Sequence, residues 1–416
     1  MRYSHWPIVG LALAVLLPGT GIAEWQSVGP DGGYIQGLAI APTDPDLLFC
    51  ASYEYPDSAR LFASEDHGAS WQLRGTVPDA SVTYLAADPF APGRLYAGGR
   101  TSVVFRSTDA GESWTAAALP GYGMAMAADP FVEGRLFVSG YYRDGGTYRA
   151  AAYVSNDTGR TWQVSMPQPD TAGYAYSVAA DPVDSGTFYI GAYAGKAYRT
   201  TDAGASWELV NSGLPSNTGV MGISVCAADN RCLLAATSNG LYRTTNSGTN
   251  WSLVGGGLMN SAQSVAFSDF DPSVGWAIGR SDSIRVYVSD DTGATWSLPA
   301  PGYVTNKTAR LTPDGASGST AWVHTTSGIF RSTDLGDNWA EAHAGLRIAH
   351  VACISASPED PDRLYLEAEG NAVFRSLNGG EDWERCTEFL SCGNICGIGV
   401  GSATDRDVLY ALEGSG

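Results

Sequence analysis

Ser107-Thr108-Asp109-Ala110-Gly111-Glu112-Ser113-Trp114 is one of eight copies of a single pattern, Ser/Thr-x-Asp/Asn-x-Gly-x-x-Trp, in this 416-residue chain. The other copies end at Trp71, Trp162, Trp207, Trp251, Trp296, Trp339 and Trp383, so successive tryptophans stand 43 to 48 residues apart. Self-similarity at a fixed period marks an array of supersecondary units. Each copy lies between two short β-prone runs, such as Val103-Val104-Phe105-Arg106 before it and Trp162-Gln163-Val164 after another. That arrangement reads as a β-hairpin. The acidic or amide residue of each copy (Asp66, Asp109, Asp157, Asp202, Asn246, Asp291, Asp334, Asn378) is expected to bond the backbone of its own turn. Gly supplies the unusual backbone angle, and Trp buries a large apolar surface.

A second signal recurs half a unit earlier. Asp-Pro stands at Asp44, Asp88, Asp129, Asp181, Asp271 and Asp360, where it predicts a turn between the first and second of four strands. The second unit then reads as strands near 82–87, 94–97, 103–106 and 114–117. With 51 Gly, 11% aromatic and only 16% charged residues, the composition suits many short strands and tight turns. No stretch holds a 3.6-residue period, so the fold class is all-β with almost no helix.

The pattern closely resembles the Asp-box, or bacterial neuraminidase repeat. Sialidases, xyloglucanases, sortilin-type receptor ectodomains and photosystem II assembly-factor-like proteins carry it, in the turn between the third and fourth strands of a β-propeller blade. The resemblance implies a single β-propeller of eight Asp-box blades over residues 24–416. At the ends, Glu24–Val28 resembles an unattached fourth strand, while 395–400 and 408–412 resemble a first and a second. Two readings stay open: these pieces compose a ninth blade, or further repeats lie beyond Gly416.

Arg2, the apolar run Ile8–Leu17 and Gly21-Ile22-Ala23 read as a secretory signal over residues 1–23, predicting a secreted or periplasmic protein. The apolar run is too short to span a membrane. A net charge of −19 argues against nucleic acid and anionic lipid as partners. Seven cysteines follow the signal; Cys226 and Cys232 flank a five-residue turn and are expected to form a disulfide. Cys386, Cys392 and Cys396 could supply a second bridge, and Cys50 and Cys353 read as buried thiols. No set of residues has metal-ligand spacing and no phosphate loop or catalytic triad stands out, so neither metal nor cofactor is expected.

By strand order, boxes and Asp-Pro turns share one rim, and function falls to the loops of the other. Those loops are rich in tyrosine: Tyr53, Tyr55, Tyr122, Tyr141, Tyr142, Tyr148, Tyr174, Tyr176 and Tyr193, with Arg143 among them. Such a surface suits a glycan or a protein segment. The main expectation is therefore an exported, non-catalytic propeller that binds one of these. The alternative is a glycoside hydrolase, xyloglucanase-like or sialidase-like, with Glu54, Asp57 and Asp144 as candidate acids. Gly32-Gly33-Tyr34-Ile35-Gln36-Gly37-Leu38, followed by Leu47-Leu48-Phe49, looks like the xyloglucanase opening, where a catalytic Asp follows near the position of Glu54 and Asp57. The sialidase Arg-Ile-Pro signature and its arginine triad are absent.

Overall fold

The computed structural model describes Gly32, Gly33 and residues 35–413 apart from 55–57, 79–81, 167–172, 256–258, 269, 282–283, 300–303, 306–308, 314–316, 326–327, 343–346, 349–350, 357–359, 361–362, 369–371, 379–382, 386–394 and 404–405. The signal-like segment 1–23 and the strand expected at 24–28 lie outside the described residues. Among the described residues every regular element is a strand, and no helix is long and apolar enough to cross a membrane. The chain forms two compact units, residues 34–346 and residues 1–33 with 347–416.

The first unit holds seven four-stranded antiparallel sheets, each contiguous in sequence. Blade one comprises Ile35–Ala41, Asp44–Glu54, Ser58–Ser64 and Gln72–Val77. Blade two comprises Val82–Asp88, Ala91–Gly99, Val103–Ser107 and Thr115–Ala118. Blades three to seven begin at Tyr122–Ala128, Ala175–Ala180, Val220–Val225, Ser261–Phe267 and Ala309–Pro313. Burial explains the strand sequences. Second strands such as Phe188–Ala192 and Leu233–Thr237 are buried along their whole length, because neighbouring blades cover both their faces. Fourth strands such as Gln163–Val164 and Glu208–Leu209 are exposed and short.

Each of the seven boxes of this unit is held the same way. In the third, Ser155 Oγ donates to Asp157 Oδ1 at 2.8 Å and accepts from Gly159 N at 2.9 Å. Asp157 Oδ1 also accepts Thr161 N at 2.9 Å. The residue before the box glycine adopts the left-handed conformation throughout the first unit, from His67 (φ 55°) to Leu335 (φ 59°). Its N–H reaches the turn between strands one and two, as Ala110 does to Gly93 O at 2.9 Å. Boxes and Asp-Pro turns therefore do share a rim. Hydrogen bonds from Ser113 and Ser107 bring the Asp109 carboxyl down to about 2, and Asp66 and Asp202 are held there in the same way. Asp157 also falls to about 2, its hydrogen bonds outweighing burial. These acids are structural. Replacing the buried Ser155 by Ala strands the Gly159 N–H, and the unfolding free energy is expected to fall by about 1–3 kcal/mol in urea titration.

The Asp-Pro acids are equally committed. Asp88 accepts Phe90 N at 2.9 Å, Arg94 Nη1 at 3.0 Å and Tyr96 Oη at 2.8 Å. Asp129 pairs with Arg135 at 3.1 Å. Blade five has Cys226 and Cys232 at the positions of these Asp–Arg pairs, since each turn carries the same backbone bond, Asp129 N to Arg135 O and Cys226 N to Cys232 O. The expected bridge is not formed here: both thiols are free and buried, and their Sγ atoms lie near Pro272 O at 3.6 Å and Thr292 O at 3.8 Å. Cys50 is a buried thiol; the side chains of Cys353, Cys386, Cys392 and Cys396 lie outside the described residues.

The ring closes after seven blades, not eight. Trp207 Nε1 donates to Ser165 Oγ and Trp251 Nε1 to Val210 O, each in the preceding blade. Trp71 of blade one finds the equivalent acceptor in Ala342 O of blade seven, at 2.9 Å. Box glycines repeat the pattern. Gly159 lies against Tyr96, Gly293 against Leu234 and Gly336 against Trp276, all on the second strand of the blade before. Gly68 lies against Trp322 of blade seven, where a Cβ would come within 2.4 Å. The eighth box belongs to the other unit, in the sheet Val351–Ala356, Leu364–Ala368, Ala372–Ser376 and Glu384–Arg385. The two strands expected after it, Ile395–Ala403 and Arg406–Glu413, pair as a two-stranded sheet, and the strand expected at 24–28 lies outside the described residues.

Candidate functional site

On the rim opposite the boxes, the loops of blades three and four bring five tyrosines into one aromatic cluster. Tyr122 and Tyr141 face each other across the first two strands of blade three and stack at 5.0 Å. Tyr141 meets Tyr174 edge-on at 4.8 Å and Tyr148 at 5.4 Å. Tyr148 and Tyr174 stack at 5.5 Å, and Tyr174 contacts Tyr176 at 5.9 Å. Tyr176 sits at a β-bulge between Ala175 and Ser177, an irregularity that re-aims side chains. Tyr193 adjoins the cluster through its N–H to Tyr174 O at 2.9 Å and packs against Gly173. Tyr122, Tyr148 and Tyr193 are 39%, 42% and 50% exposed, so the cluster presents aromatic surface to solvent. Burial, then the neighbouring phenols Tyr174, Tyr122 and Tyr148, push the Tyr141 hydroxyl up; burial and Tyr174 do the same to Tyr176.

The Arg143 guanidinium lies 6.0 Å over the Tyr148 ring. Arg100, which follows the second strand of blade two, is exposed, and its charge acts on both Tyr141 and Tyr176. Sequence reasoning missed Arg100; its place in the same loop class as Arg143 was the available signal. Two expected members are not part of the cluster. Tyr142 follows Tyr141 on a strand and so points to the other face, where it packs on the core formed with Tyr96, Leu119 and Tyr153. Asp144 ends a tight hairpin whose Gly145 and Gly146 have φ of 55° and 95°, and its Oδ2 accepts Arg149 Nε at 2.9 Å. The side chains of Tyr53 and Glu54, and the whole of Tyr55 and Asp57, lie outside the described residues.

A cleft of about 320 Å³ lies on the box rim instead, between blades seven and one, lined by His67, Arg331, Asp334 and Asn338. Most of its polar groups are already engaged, His67 with Asp46 at 3.1 Å and Asp334 with Ser332 and Asn338, while Arg331 lies over Trp322 with its Nε unpartnered among the described residues. The tyrosine face offers unoccupied surface and is the better candidate.

Comparison with known proteins bears on what this face does. The chain is 33% identical over 201 residues to an oligoxyloglucan-reducing end-specific xyloglucanase of Emericella nidulans, across 43% of this chain and 24% of that one. It is 26% identical over 211 residues to a xyloglucanase of Paenibacillus sp., across 47% and 18% respectively. The chain thus spans less than a third of the length of the curated relatives it matches. Among solved structures, the GH74 xyloglucanase from Xanthomonas campestris matches with a TM-score of 0.65 at 17% identity, over 89% of this chain and 70% of that one. YCF48 from Cyanidioschyzon merolae matches with a TM-score of 0.53 at 18% identity, over 75% and 99%. At such identities these likenesses establish the fold. The xyloglucanase relatives fit the hydrolase-like alternative better than the non-catalytic reading. The family model Sortilin-Vps10, described as sortilin, neurotensin receptor 3, matches residues 59–164 and 150–271, together about half of the chain. The ring of Asp-box blades and this match agree, and the chain belongs to the Sortilin-Vps10 family of Asp-box β-propeller proteins.

Proposed function

We propose that this propeller serves a glycoside hydrolase of the xyloglucanase type, holding a glycan chain on the tyrosine face of blades three and four. The observation that carries the reading is the continuous contact of Tyr122, Tyr141, Tyr148, Tyr174 and Tyr176 on the loop rim. Sugar rings present apolar faces, and exposed phenol rings suit them while their hydroxyls bond the sugar edge. The 33% identity to a xyloglucanase favours a β-glucan backbone as that chain.

Hydrolysis requires two carboxyl groups about 5–10 Å apart. Asp144 is a poor choice for either, because Arg149 already holds it. Glu54 and Asp57 remain the candidates in this chain, since Glu54 pairs with Ser58 at the end of the blade-one hairpin, on the rim that carries the tyrosines. Turnover of xyloglucan oligosaccharides, read as new reducing ends, is expected to fall by about 10²–10⁴ in Glu54→Gln or Asp57→Asn. Tyr174→Ala is expected to weaken oligosaccharide binding by about three- to tenfold. Release undiminished by both acid substitutions would remove them from the reaction. Binding unchanged in Tyr174→Ala would remove the tyrosine face.

A further inference from the structure

We infer that the tyrosine platform selects a glycan bearing carboxylate groups, a uronate-substituted chain, and that Arg100 and Arg143 are the residues that select it. The inference rests on the glycan reading above and adds the charge of the ligand to it. Acids outnumber bases 43 to 24 in this protein, and several arginines are ion-paired. Arg94 has Asp88 and Glu133, Arg135 has Asp129, and Arg199 has Glu208. Within blade three, Arg149 has Asp144, only a hairpin turn from Arg143.

Arg100 and Arg143 have no ion pair among the described residues, and both are exposed beside the platform. Arg143 instead meets the Tyr148 ring, whose centroid lies 6.0 Å from the guanidinium carbon, at the outer reach of a cation–π contact. No hydrogen bond engages its N–H groups among the described residues. Those donors match the two oxygens of a carboxylate. Arg100 approaches the platform from the neighbouring blade, where the carbonyl of the next residue, Thr101, accepts Gly123 N at 3.1 Å directly after Tyr122, and its charge acts on Tyr141 and Tyr176. Two unanswered cations thus flank one aromatic surface on a protein whose net charge is −19. A neutral glucan would use the phenol rings and leave both arginines without a partner; a uronate-bearing chain uses both features.

The test is calorimetric titration of the full chain with a matched pair of ligands. One is a β-1,4-linked glucotetraose with a single unit oxidised at C6 to glucuronate, the other the same oligosaccharide with that carboxyl reduced to the alcohol. The acid is expected to bind about five- to tenfold more tightly at low salt, with the difference shrinking as salt is raised. Arg100→Ala and Arg143→Ala are expected to reduce that preference to about twofold or less while leaving the affinity for the reduced ligand unchanged. Tyr174→Ala should weaken both ligands alike. Equal binding of the two ligands by the unmodified chain overturns the uronate inference and leaves the glycan reading standing. Failure of both ligands to bind overturns the glycan reading and this inference with it. Arginine-dependent binding of a hexaglutamate peptide as tight as that of the uronate ligand would make the partner an acidic peptide and overturn the inference in favour of that class.

Discussion

Trp322→Ala is expected to destabilise the seven-bladed unit by about 3–5 kcal/mol and to loosen it at one seam, between blades seven and one. Trp322 is fully buried on the second strand of blade seven. Gly68 lies against its ring, His67 stacks on it at 5.6 Å, and the Arg331 guanidinium covers it at 5.1 Å. Its indole N–H has no partner among the described residues, so the loss is one of packing and cavity formation rather than of a hydrogen bond. The seam matters because every sheet of the ring is contiguous in sequence. Among the described residues no strand crosses from blade one into blade seven, and the closure is held by Trp71 Nε1 on Ala342 O and by the packing around Trp322. Trp276→Ala is the matched control, since Trp276 plays the same part beneath Gly336 between blades six and seven. Urea unfolding should register a similar loss for both. Amide hydrogen exchange should separate them, with faster exchange over residues 66–71 in Trp322→Ala alone. A Trp322→Ala protein within 1 kcal/mol (roughly) of the parent, or exchanging faster only elsewhere, would contradict closure by this contact.

That closure is also what the amino-acid sequence left illegible. The eight boxes could be read directly, and so could their duty: a serine two residues before an aspartate and four before a glycine has one economical use, and Ser155, Asp157 and Gly159 have it. The number of blades per ring depends on which box docks on which second strand. Gly68 against Trp322 and Trp71 against Ala342 are contacts across 254 and 271 residues, and no local pattern encodes them. The same limit applies at the site. Tyrosine-rich loops on one rim were visible, but Tyr141 and Tyr142 differ by one step along a strand, and that step sends the first to the platform and the second to the core. Asp144 reads as a candidate acid until the two-glycine hairpin brings Arg149 onto it. Arg100 stood in the same loop class as Arg143, but its place beside the tyrosines depends on how blade two lies against blade three.

Acid is expected to weaken this ring well above the pH at which carboxylates protonate, and His324 is the reason. It lies on the second strand of blade seven opposite Arg310, at a position where the corresponding strands carry Ala51, Gly98, Ser139, Gly191, Ala236 and Ile278. Neither ring nitrogen has a partner among the described residues, and the residue is 5% exposed. Burial first, and the Arg310 charge second, pull the imidazole from 6.5 down to about 3. The unfolded chain therefore binds a proton on this side chain below pH 6.5 that the folded ring refuses until about pH 3. Stability present above pH 6.5 is lost as the pH falls through that window, by about 2 kcal/mol between pH 7 and pH 5. The box aspartates, held at about 2 by their hydrogen bonds, add to the loss only below their ordinary value of 3.8. The two contributions thus separate on the pH axis. His324→Leu should show a flatter urea midpoint between pH 7 and pH 5 than the parent, with the two proteins falling in parallel below pH 3. Parallel curves from pH 7 downward would mean that His324 finds its proton at an ordinary pH and is not sealed in the ring.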